Sequence, residues 1–400
     1  MPPPESIELA VIGGGPAGLR AAEIAATAGV SVTLFDAMPS VGRKLLVAGK
    51  GGLNLTRGEP ADAFASRYQG PDMPDGLWRE LLADFDTAAL RAWAEDLGVE
   101  TFQASSGRIY PVSMKAAPLL RRWISRLRSL GVRFATRHKW VSLTPGHPHR
   151  IVFANGTQVD ARAVVFALGG GSWPQTGSDG SWLPVYADLG IRCHPLEPAN
   201  CGWECPWPRD VLENAEGKPL KNIRVEADGT WVEGELLITR YGLEGGAIYR
   251  LGHILRAMER PQITIDFKPA HTADQLAAKL AGTRHKFLTA TRSAWKLGDA
   301  AHAILSTRAW TDAATLASAA KRFPLHLTKP RPLPEAISSA GGIRWDEFDA
   351  NLMLTKLPGI FAAGEMIDWE APTGGYLIHG CLATASKAAG GAVGWLRANP

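Results

Sequence analysis

Apolar and polar positions alternate between strand and helix periods along this chain, most clearly at its start. An apolar run covers Ile7 to Ile12, an Ala-rich stretch with helical spacing extends to Ala28, and a second apolar run covers Val30 to Phe35. Glycines at 13, 14, 15 and 18 follow the first run. Strand, glycine turn, helix and strand in this order predict a βαβ unit.

The glycines of this unit have the spacing G-x-G-x-x-G. Gly13 allows a tight turn, Gly15 lets backbone N–H groups approach a pyrophosphate, and Gly18 lets the helix pack closely on the strand. Ala17 lies within the same turn. Asp36 ends the second strand, where it can accept hydrogen bonds from ribose hydroxyls and would repel a 2′-phosphate. The pattern therefore predicts FAD or NAD as the ligand, and not NADP.

The helical period returns over residues 77–98 and 114–130, and Ser113 is the candidate N-cap of the second stretch. After these helices the pattern changes to short strands. The Asn155-Gly156 dipeptide lies between two apolar runs and predicts a hairpin turn.

Two later glycine clusters also follow predicted strands. The strand over 163–168 leads into the cluster that begins at Gly169, at the kind of strand end where open α/β sheets bind ligands. Near the C-terminus, GIFAAGE ends at Glu365, Asp368 follows, and TGGY precedes an Ala-rich helix predicted from about Leu382. A glycine pair before a helix repeats the arrangement of the N-terminus. We therefore expect one extended ligand to be bound by both ends of the chain.

The middle of the chain has a different composition, richer in Pro, Cys and Trp after about residue 190. Strands are predicted over 223–227 and 230–232, joined by Asp228-Gly229. Short helices follow over 271–322, where Thr272 and Gln275 form a candidate capping box. The Pro-rich segment 329–336 is expected to be a linker.

Composition and charge exclude several classes of protein. A chain of 400 residues with 46% hydrophobic and 20% charged residues is not a disordered tail, and a net charge of +4 does not by itself predict a membrane or nucleic-acid partner. One segment, 108–139, holds nine Lys or Arg and no Asp or Glu. Leucines and Trp123 recur there at helical spacing, so the arginines belong either to the solvated face of an amphipathic helix or to an anion- or RNA-binding surface.

The four cysteines form neither a disulfide framework nor a zinc motif, and no secretory signal precedes the first strand. We expect a cytoplasmic protein without a metal.

Five motifs in order resemble the BaiN/YhiN-like family of FAD-dependent oxidoreductases, which includes an aminoacetone oxidase. They are VIGGGPAGLRAA, GRKLLVAGKGGLNLT, GRIYPVSMKA, ALGGGSWPQTGSDG and AAGEMIDWEAPTGGY. The resemblance implies an α/β fold: a glutathione-reductase-like Rossmann domain for FAD, a β-barrel-like substrate domain inserted into it, and a small helical insert within that. The three domains would cover 1–190 with 345–400, 191–268 with 325–344, and 269–324.

The resemblance also assigns site residues. It places the glycine turn at the FAD pyrophosphate, Asp36 at the adenosine ribose, and Val141 near the adenine. Further cofactor-binding residues that it implies are Arg43, Lys44, Asn54, Gly169, Gly364, Glu365, Asp368, Gly374, Gly375 and Tyr376.

The chain departs from the family pattern at several positions, so the resemblance does not identify the substrate. GKGGLN replaces the usual GGGRCN, and GGYLIH places His379 where an amide is usual. His379 beside the flavin edge is a candidate acid or a structural histidine at a helix start. Arg240 and Tyr241, in the altered motif LLITRYGLEGGAIY, are the other catalytic candidates, and Arg240 fits a structural ion pair equally well.

These observations predict an oxidoreductase in which hydride moves between FAD N5 and a small organic substrate. NAD(P)H, bound transiently, or oxygen would be the redox partner, since no second dinucleotide fingerprint follows. The alternative is an FAD-containing protein that modifies or binds RNA through the basic segment 108–139. A methyltransferase ranks last, because it leaves GIFAAGE and TGGY without a role.

Overall fold

The computed structural model describes residues 5–49, 51–283 and 286–400. Their contacts divide the chain into two compact units. The first runs up to Glu197 and resumes over Ile337–Pro400, and the second covers Pro198–Ala336. Each unit is built around a hydrophobic cluster of its own.

The described residues form short strands and helices throughout. The strands are β1 Glu5–Ile12, β2 Val32–Asp36, β3 Thr56–Arg57, β4 Thr101–Gln103, β5 Arg108–Pro111, β6 Arg133–Thr136, β7 Trp140–Thr144, β8 His149–Phe153, β9 Gln158–Phe166, β10 Cys193–Ala199, β11 Trp203–Glu204, β12 Pro219–Ala227, β13 Thr230–Thr239, β14 Gly242–Glu244, β15 Gln262–Asp266, β16 Phe323–His326, β17 Ser338–Ile343 and β18 Ile360–Ala362. The helices are α1 Pro16–Thr27, α2 Arg43–Ala48, α3 Ala61–Ala65, α4 Leu77–Asp84, α5 Thr87–Asp96, α6 Ala116–Ser129, α7 Leu183–Asp188, α8 Arg209–Ala215, α9 Gly246–Ala257, α10 Ala273–Ala278, α11 Phe287–Ala294, α12 Asp299–Leu305, α13 Ala313–Lys321 and α14 Tyr376–Ala398.

The first unit contains a seven-stranded sheet in the order β6-β2-β1-β9-β8-β7, and β18 also pairs with β9. The strands β6, β2, β1, β9 and β18 pair in parallel. The first half of β9 pairs with β8, and its last residues pair with β18. Helices α1 and α14 pack against each other, so the two ends of the chain form one layered α/β structure around an apolar core.

Several predicted elements are confirmed, including the opening βαβ unit and the hairpin at Asn155-Gly156 between β8 and β9. Two helix predictions need correction. The single helix over 77–98 is two helices, because Asp86 caps α5 by accepting a hydrogen bond from the Ala89 N–H at 2.7 Å. The predicted N-cap Ser113 lies outside α6, because Met114 has a left-handed φ of 60° and the N-cap is Lys115.

The second unit contains a six-stranded antiparallel sheet in the order β11-β14-β13-β12-β15-β16. The segment just after β16 returns to the first strand: the N–H of Glu204 donates to the Lys329 carbonyl, and the N–H of Arg331 donates to the Gly202 carbonyl. These bonds join the segment after β16 to β11, at the opposite edge of the sheet. The Pro-rich segment predicted as a linker therefore begins as part of this sheet.

The helices of the second unit share its core. Leu276, Ile304 and Leu316 lie in the same cluster as Val225 and Ile265 of the sheet. Thr272 and Gln275 form the predicted capping box at the start of α10. In the part of the chain that the structure describes, no helix has both the length and the apolarity needed to cross a membrane.

Candidate functional site

The carboxyl ends of β1, β2, β9 and β18 lie at one edge of the sheet, because these strands are parallel and in register there. Ile12 pairs with Phe35 and with Phe166, and Phe166 pairs with Ala362. A cavity of about 240 Å³ lies at this edge, and its walls include Ile12, Phe35, Ala167 and Ala363. Ligands of open α/β sheets bind at such an edge.

The glycine turn after β1 contains glycines of two kinds. Gly13 has φ +108°, and a Cβ there would lie 2.3 Å from the carbonyl oxygen of Ala167. A Cβ at Gly18 would lie 1.8 Å from the Gly13 carbonyl oxygen. These two glycines are therefore required by packing alone. A Cβ at Gly15 would meet nothing within 4 Å, so the space beside it belongs to the cavity that Gly15 lines.

Gly15 is also the N-cap residue of α1, which begins with Pro16. It has no side chain to cap the helix, and the first N–H groups of an α-helix have no partner within it. The helix N-terminus beside the open space therefore favours an anion.

Asp36 is fixed by the backbone on both sides. Its carboxylate accepts hydrogen bonds from the N–H of Gly14 at 2.8 Å and from the N–H of Met38 at 2.7 Å. Burial raises the pKa of this carboxyl, while the two N–H donors and Arg43 act in the opposite direction. Each carboxylate oxygen has further lone pairs, so Asp36 retains acceptor capacity at the cavity wall.

A charged pair connects the two ends of the chain at this cavity. The Lys44 ammonium donates to Glu365 Oε2 at 2.6 Å and to Ser172 Oγ at 2.7 Å. The other oxygen of Glu365 accepts from the N–H of Ser339 at 2.8 Å. Lys44 is 24% exposed and Glu365 12%, so water screens the pair only partly. The pair holds both side chains in defined positions at the cavity wall.

Two polar atoms on the cavity wall, Nε of Arg43 and Nε1 of Trp140, are buried without a hydrogen-bond partner in the structure. Oδ1 of Asn54, in the loop that follows α2 and outside the cavity lining, is also buried without one. Such atoms are uncommon in folded proteins, because burial without a partner costs roughly 1–3 kcal/mol. The Arg43 and Trp140 atoms are therefore available to a molecule bound in the cavity.

The cavity brings together eight of the predicted cofactor-binding residues. They are Gly13, Gly15, Ala17, Asp36, Arg43, Lys44, Gly169 and Glu365. Eight others lie outside the described lining of this cavity. They are Gly18, Asn54, Val141, Gly364, Asp368, Gly374, Gly375 and Tyr376.

Sequence reasoning missed part of the wall. The side chains of His138 and Trp140 line the cavity beside Val141, whose own side chain is 40% exposed. Trp182 and Cys381 line it as well, and burial raises the pKa of the Cys381 thiol to about 12. The lining residues at 174 and 176–179 lie in the quoted motif that contains the second glycine cluster, so these could have been suspected from the sequence.

Gly364 and Asp368 have internal partners. Gly364 has φ +80°, and a Cβ there would lie 2.8 Å from the Cβ of Ala17, which packs the C-terminal strand end onto α1. Asp368 is buried and contacts His194 Nδ1 at 2.5 Å. Burial raises the pKa of the Asp368 carboxyl, and His194 lowers it. The predicted cofactor roles of these residues stay predictions.

The TGGY turn packs against the segment around β3. A Cβ at Gly375 would lie 2.5 Å from the Thr56 carbonyl carbon, so only glycine fits. Helix α14 begins at Tyr376, six residues earlier than the predicted Leu382. The Tyr376 hydroxyl donates to Glu59 at 2.6 Å, and burial together with this bond raises its pKa to about 12.

His379 is fully buried, and both of its ring nitrogens are engaged. Nε2 lies 2.7 Å from the Phe85 carbonyl, which can only accept, so Nε2 carries the proton. Nδ1 then accepts from the Thr56 hydroxyl at 2.7 Å. Burial lowers the pKa of His379 to about 4, which keeps the ring neutral. This geometry is typical of a structural histidine, and its catalytic role stays a prediction without geometric support.

Arg240 and Tyr241 lie in the second unit. Arg240 is exposed. The Tyr241 hydroxyl donates to Glu244, which also accepts from Tyr249. Arg331 lies over the Tyr241 ring, 4.3 Å from its centroid. Burial and the bond to Glu244 raise the Tyr241 pKa. The catalytic roles of these residues also stay predictions.

Comparison with known proteins adds a family to this geometry. A family model described as the HI0933-like protein Rossmann domain matches residues 7–391. A protein of Escherichia coli K12 named ribosomal RNA dihydrouridine synthase is 23% identical over 387 residues, covering 93% of this chain and 94% of that protein. A protein of the same name from Haemophilus influenzae is 24% identical over 269 residues, covering 66% of this chain and 65% of its own length.

Solved structures share the fold at low identity. A flavocytochrome c3 fumarate reductase matches 98% of this chain and 79% of its own, with a TM-score of 0.54 and 16% identity. The 3-ketosteroid-Δ4-(5α)-dehydrogenase of Rhodococcus jostii RHA1 matches 99% of this chain and 97% of its own, with a TM-score of 0.53 and 16% identity. These matches confirm the predicted Rossmann fold class, and the family match confirms the resemblance read from the motifs. The chain belongs to the HI0933-like family of FAD-binding Rossmann proteins.

Proposed function

We propose that this protein binds FAD and is an FAD-dependent oxidoreductase acting on an organic substrate, with NAD(P)H or oxygen as its redox partner. One observation carries the proposal: the glycine turn, Asp36 and Glu365, from opposite ends of the chain, line the same cavity. Family membership and the fold shared with reductases and dehydrogenases support it.

The residues present fit the adenosine diphosphate half of this cofactor. The open space beside Gly15 and the N-terminus of α1 would hold the pyrophosphate. Asp36 would accept hydrogen bonds from the ribose hydroxyls, and the unpartnered Nε–H of Arg43 would donate a hydrogen bond to the ligand. The Lys44–Glu365 pair keeps the facing wall in place before the ligand arrives.

FAD when bound supplies hydride transfer at N5. The chain's residues bind and orient the cofactor and exclude water from the buried wall. Of the predicted catalytic residues, His379 lies in the first unit, and both of its ring nitrogens are already hydrogen-bonded to the protein. We therefore infer that proton delivery to the substrate does not depend on His379.

A small free molecule is the substrate expected from the sequence. A second candidate is a uracil base within RNA. One comparison favours it: the relative that aligns over 93% of this chain is named a ribosomal RNA dihydrouridine synthase. Reduction of a uracil ring is also a hydride transfer, so the same flavin chemistry would serve both substrates.

The test begins with the flavin of the purified protein. Bound FAD would be reduced without oxygen by NADH or NADPH, and oxygen, small carbonyl compounds and uridine-containing RNA would then be offered as acceptors. Reoxidation by an acceptor with matching product supports the proposal. A protein that contains no flavin and binds none when FAD is added would refute it.

A further inference from the structure

The small sheet of β3, β5 and β4 has two unlike faces. Ile109 of β5 points into the protein and is buried, whereas its neighbours Arg108 and Tyr110 lie on the opposite face. The antiparallel register places Phe102 directly opposite Tyr110 and Arg57 directly opposite Arg108. The outer face therefore carries an aromatic pair next to a pair of arginines.

The aromatic pair is open to solvent. The rings of Phe102 and Tyr110 stack with centroids 5.9 Å apart and an interplanar angle of 29°, and Phe102 is 40% exposed. Met114, 38% exposed, adjoins them, since a Cβ at Gly52 would lie 2.7 Å from Met114 Cε and 3.6 Å from Tyr110 Cε1. Exposed aromatic pairs of this kind offer a stacking surface to any nucleobase.

The arginine pair is short of negative charge. Like charges directly opposite each other in a sheet are destabilising. Arg57 lies 3.9 Å from Glu59, which is shared with Arg67, and Arg108 has no ion-pair partner among the described residues. An anion between Arg57 and Arg108 would relieve this repulsion, and a phosphate is the anion that accompanies a nucleobase.

Further cations follow this face in the sequence, beginning with Lys115 directly after Met114. Lys115 and Arg121 are exposed and, in the described part of the chain, have no ion-pair partner. They belong to the segment 108–139, which holds nine basic residues and no acidic one. The face also adjoins the TGGY turn, since a Cβ at Gly374 would lie 3.9 Å from Arg108 Nε. A single-stranded nucleic acid carries both the bases and the repeated phosphates that this composition would bind.

We propose that the outer face formed by Arg57, Phe102, Arg108 and Tyr110 is a docking surface for single-stranded RNA. A base stacks on the Phe102–Tyr110 pair, and an adjacent phosphate lies between the two arginines. This inference rests on the second candidate substrate of the proposed function, a base within RNA.

The test uses the flavin-loaded full chain and a fluorescein-labelled oligouridylate of about 12 nucleotides, a length typical of single-strand sites. Fluorescence anisotropy is measured over a series of salt concentrations. Phe102→Ala should weaken binding about tenfold, and Phe102→Tyr should keep it, because the ring still stacks. Arg108→Gln should weaken binding and reduce the slope of log affinity against log salt by about 0.7.

Matched controls are Arg79→Gln and Leu237→Ala, which remove an exposed charge and an exposed apolar side chain elsewhere. Both should bind RNA like the wild type. Equal flavin content and melting temperature establish that each variant is folded. Absence of RNA binding by the wild type at low salt would overturn the docking surface. So would wild-type RNA affinity in both Phe102→Ala and Arg108→Gln. A third overturning result is a Phe102→Ala variant that binds RNA normally but has lost affinity for NAD(P)H, titrated in parallel. A chain without flavin fails the proposed function instead, so the two failures are distinguishable.

Discussion

The glycine turn at Gly15 and the TGGY turn at Gly375 both lead into a helix, yet they differ in what surrounds them. Beside Gly15 there is open space, and Nε of Arg43 on the same cavity wall is unpartnered. Gly375 instead packs onto Thr56, and the first side chains of α14, Tyr376 and His379, are bonded to the protein. A glycine turn before a helix can therefore either line a ligand site or pack against the rest of the protein. Open space and buried polar atoms without partners distinguish the first kind from the second.

The largest expected effect separates two glycines of one turn. Gly18→Ala places a Cβ 1.8 Å from a backbone oxygen and should destabilise the protein by about 3 kcal/mol or more. Gly15→Ala has free space and an extended backbone, so it should lose less than about 1 kcal/mol while binding FAD about 100-fold more weakly. Thermal unfolding and FAD titration measure both. Normal FAD affinity in Gly15→Ala would show that FAD does not bind at this turn.

The next effect concerns pH and the closed turn. The pKa of His379 is about 4 in the folded protein, against an ordinary 6.5 in the unfolded chain. Between pH 6.5 and pH 4 the unfolded chain therefore binds a proton that the folded protein does not, and the free energy of unfolding decreases as the pH falls. The wild type should lose about 3 kcal/mol more than His379→Gln between pH 7 and pH 4. Urea unfolding at several pH values measures this difference.

His379→Gln should also retain turnover within a few-fold at pH 7, because glutamine can serve one of the two hydrogen bonds and no step needs the imidazole. Parallel stability curves, or a loss of turnover without loss of flavin, would contradict the structural role of His379.

A smaller effect concerns the pair at the cavity wall. Lys44→Met leaves Glu365 with its backbone donor but no cation, and should cost about 1–2 kcal/mol, because the pair is mostly but not wholly buried. FAD affinity should fall about tenfold. Arg79→Gln breaks a highly exposed pair with Asp62 and should cost less than about 1 kcal/mol. Equal stability losses for the two variants would show that burial of the Lys44 pair does not matter.

The smallest effect is expected at Tyr376. Tyr376→Phe removes the hydrogen bond to Glu59, which keeps Arg57 and Arg67 as neighbours, so the loss should be about 1 kcal/mol. Flavin content should not change. Calorimetric unfolding measures the loss. A large fall in flavin reduction at unchanged stability would instead place Tyr376 in the chemistry.

Much of the fold could be predicted from the sequence because local rules determine it. The turn after β1 needs glycine at two positions for packing. The Asn155-Gly156 dipeptide determines the turn of the β8–β9 hairpin locally. The break at Asp86 was missed because its capping bond competes with a continuous helical period. The pairing of the segment after β16 with β11 was missed because proline-rich sequence usually forms linkers, and its partner β11 is distant in the sequence.

The site was less predictable. Residues on the glycine turn and at strand ends could be found, since parallel strands bring their carboxyl ends together. His138, Trp182 and Cys381 reach the cavity from distant segments, and no local pattern marks them. The partners of His379 are likewise far away in sequence, at Thr56 and Phe85. The position of His379 beside a glycine motif therefore suggested a catalytic role, whereas its hydrogen bonds are those of a structural residue.

The most direct measurement of the central claim is an FAD titration of the purified, flavin-stripped full chain by calorimetry and visible absorption, with Gly15→Ala measured in parallel. We predict one FAD per chain for the wild type and strongly weakened binding for a variant that folds normally. Absence of FAD binding by a folded wild type, or unchanged binding by Gly15→Ala, would contradict the assignment of the cavity.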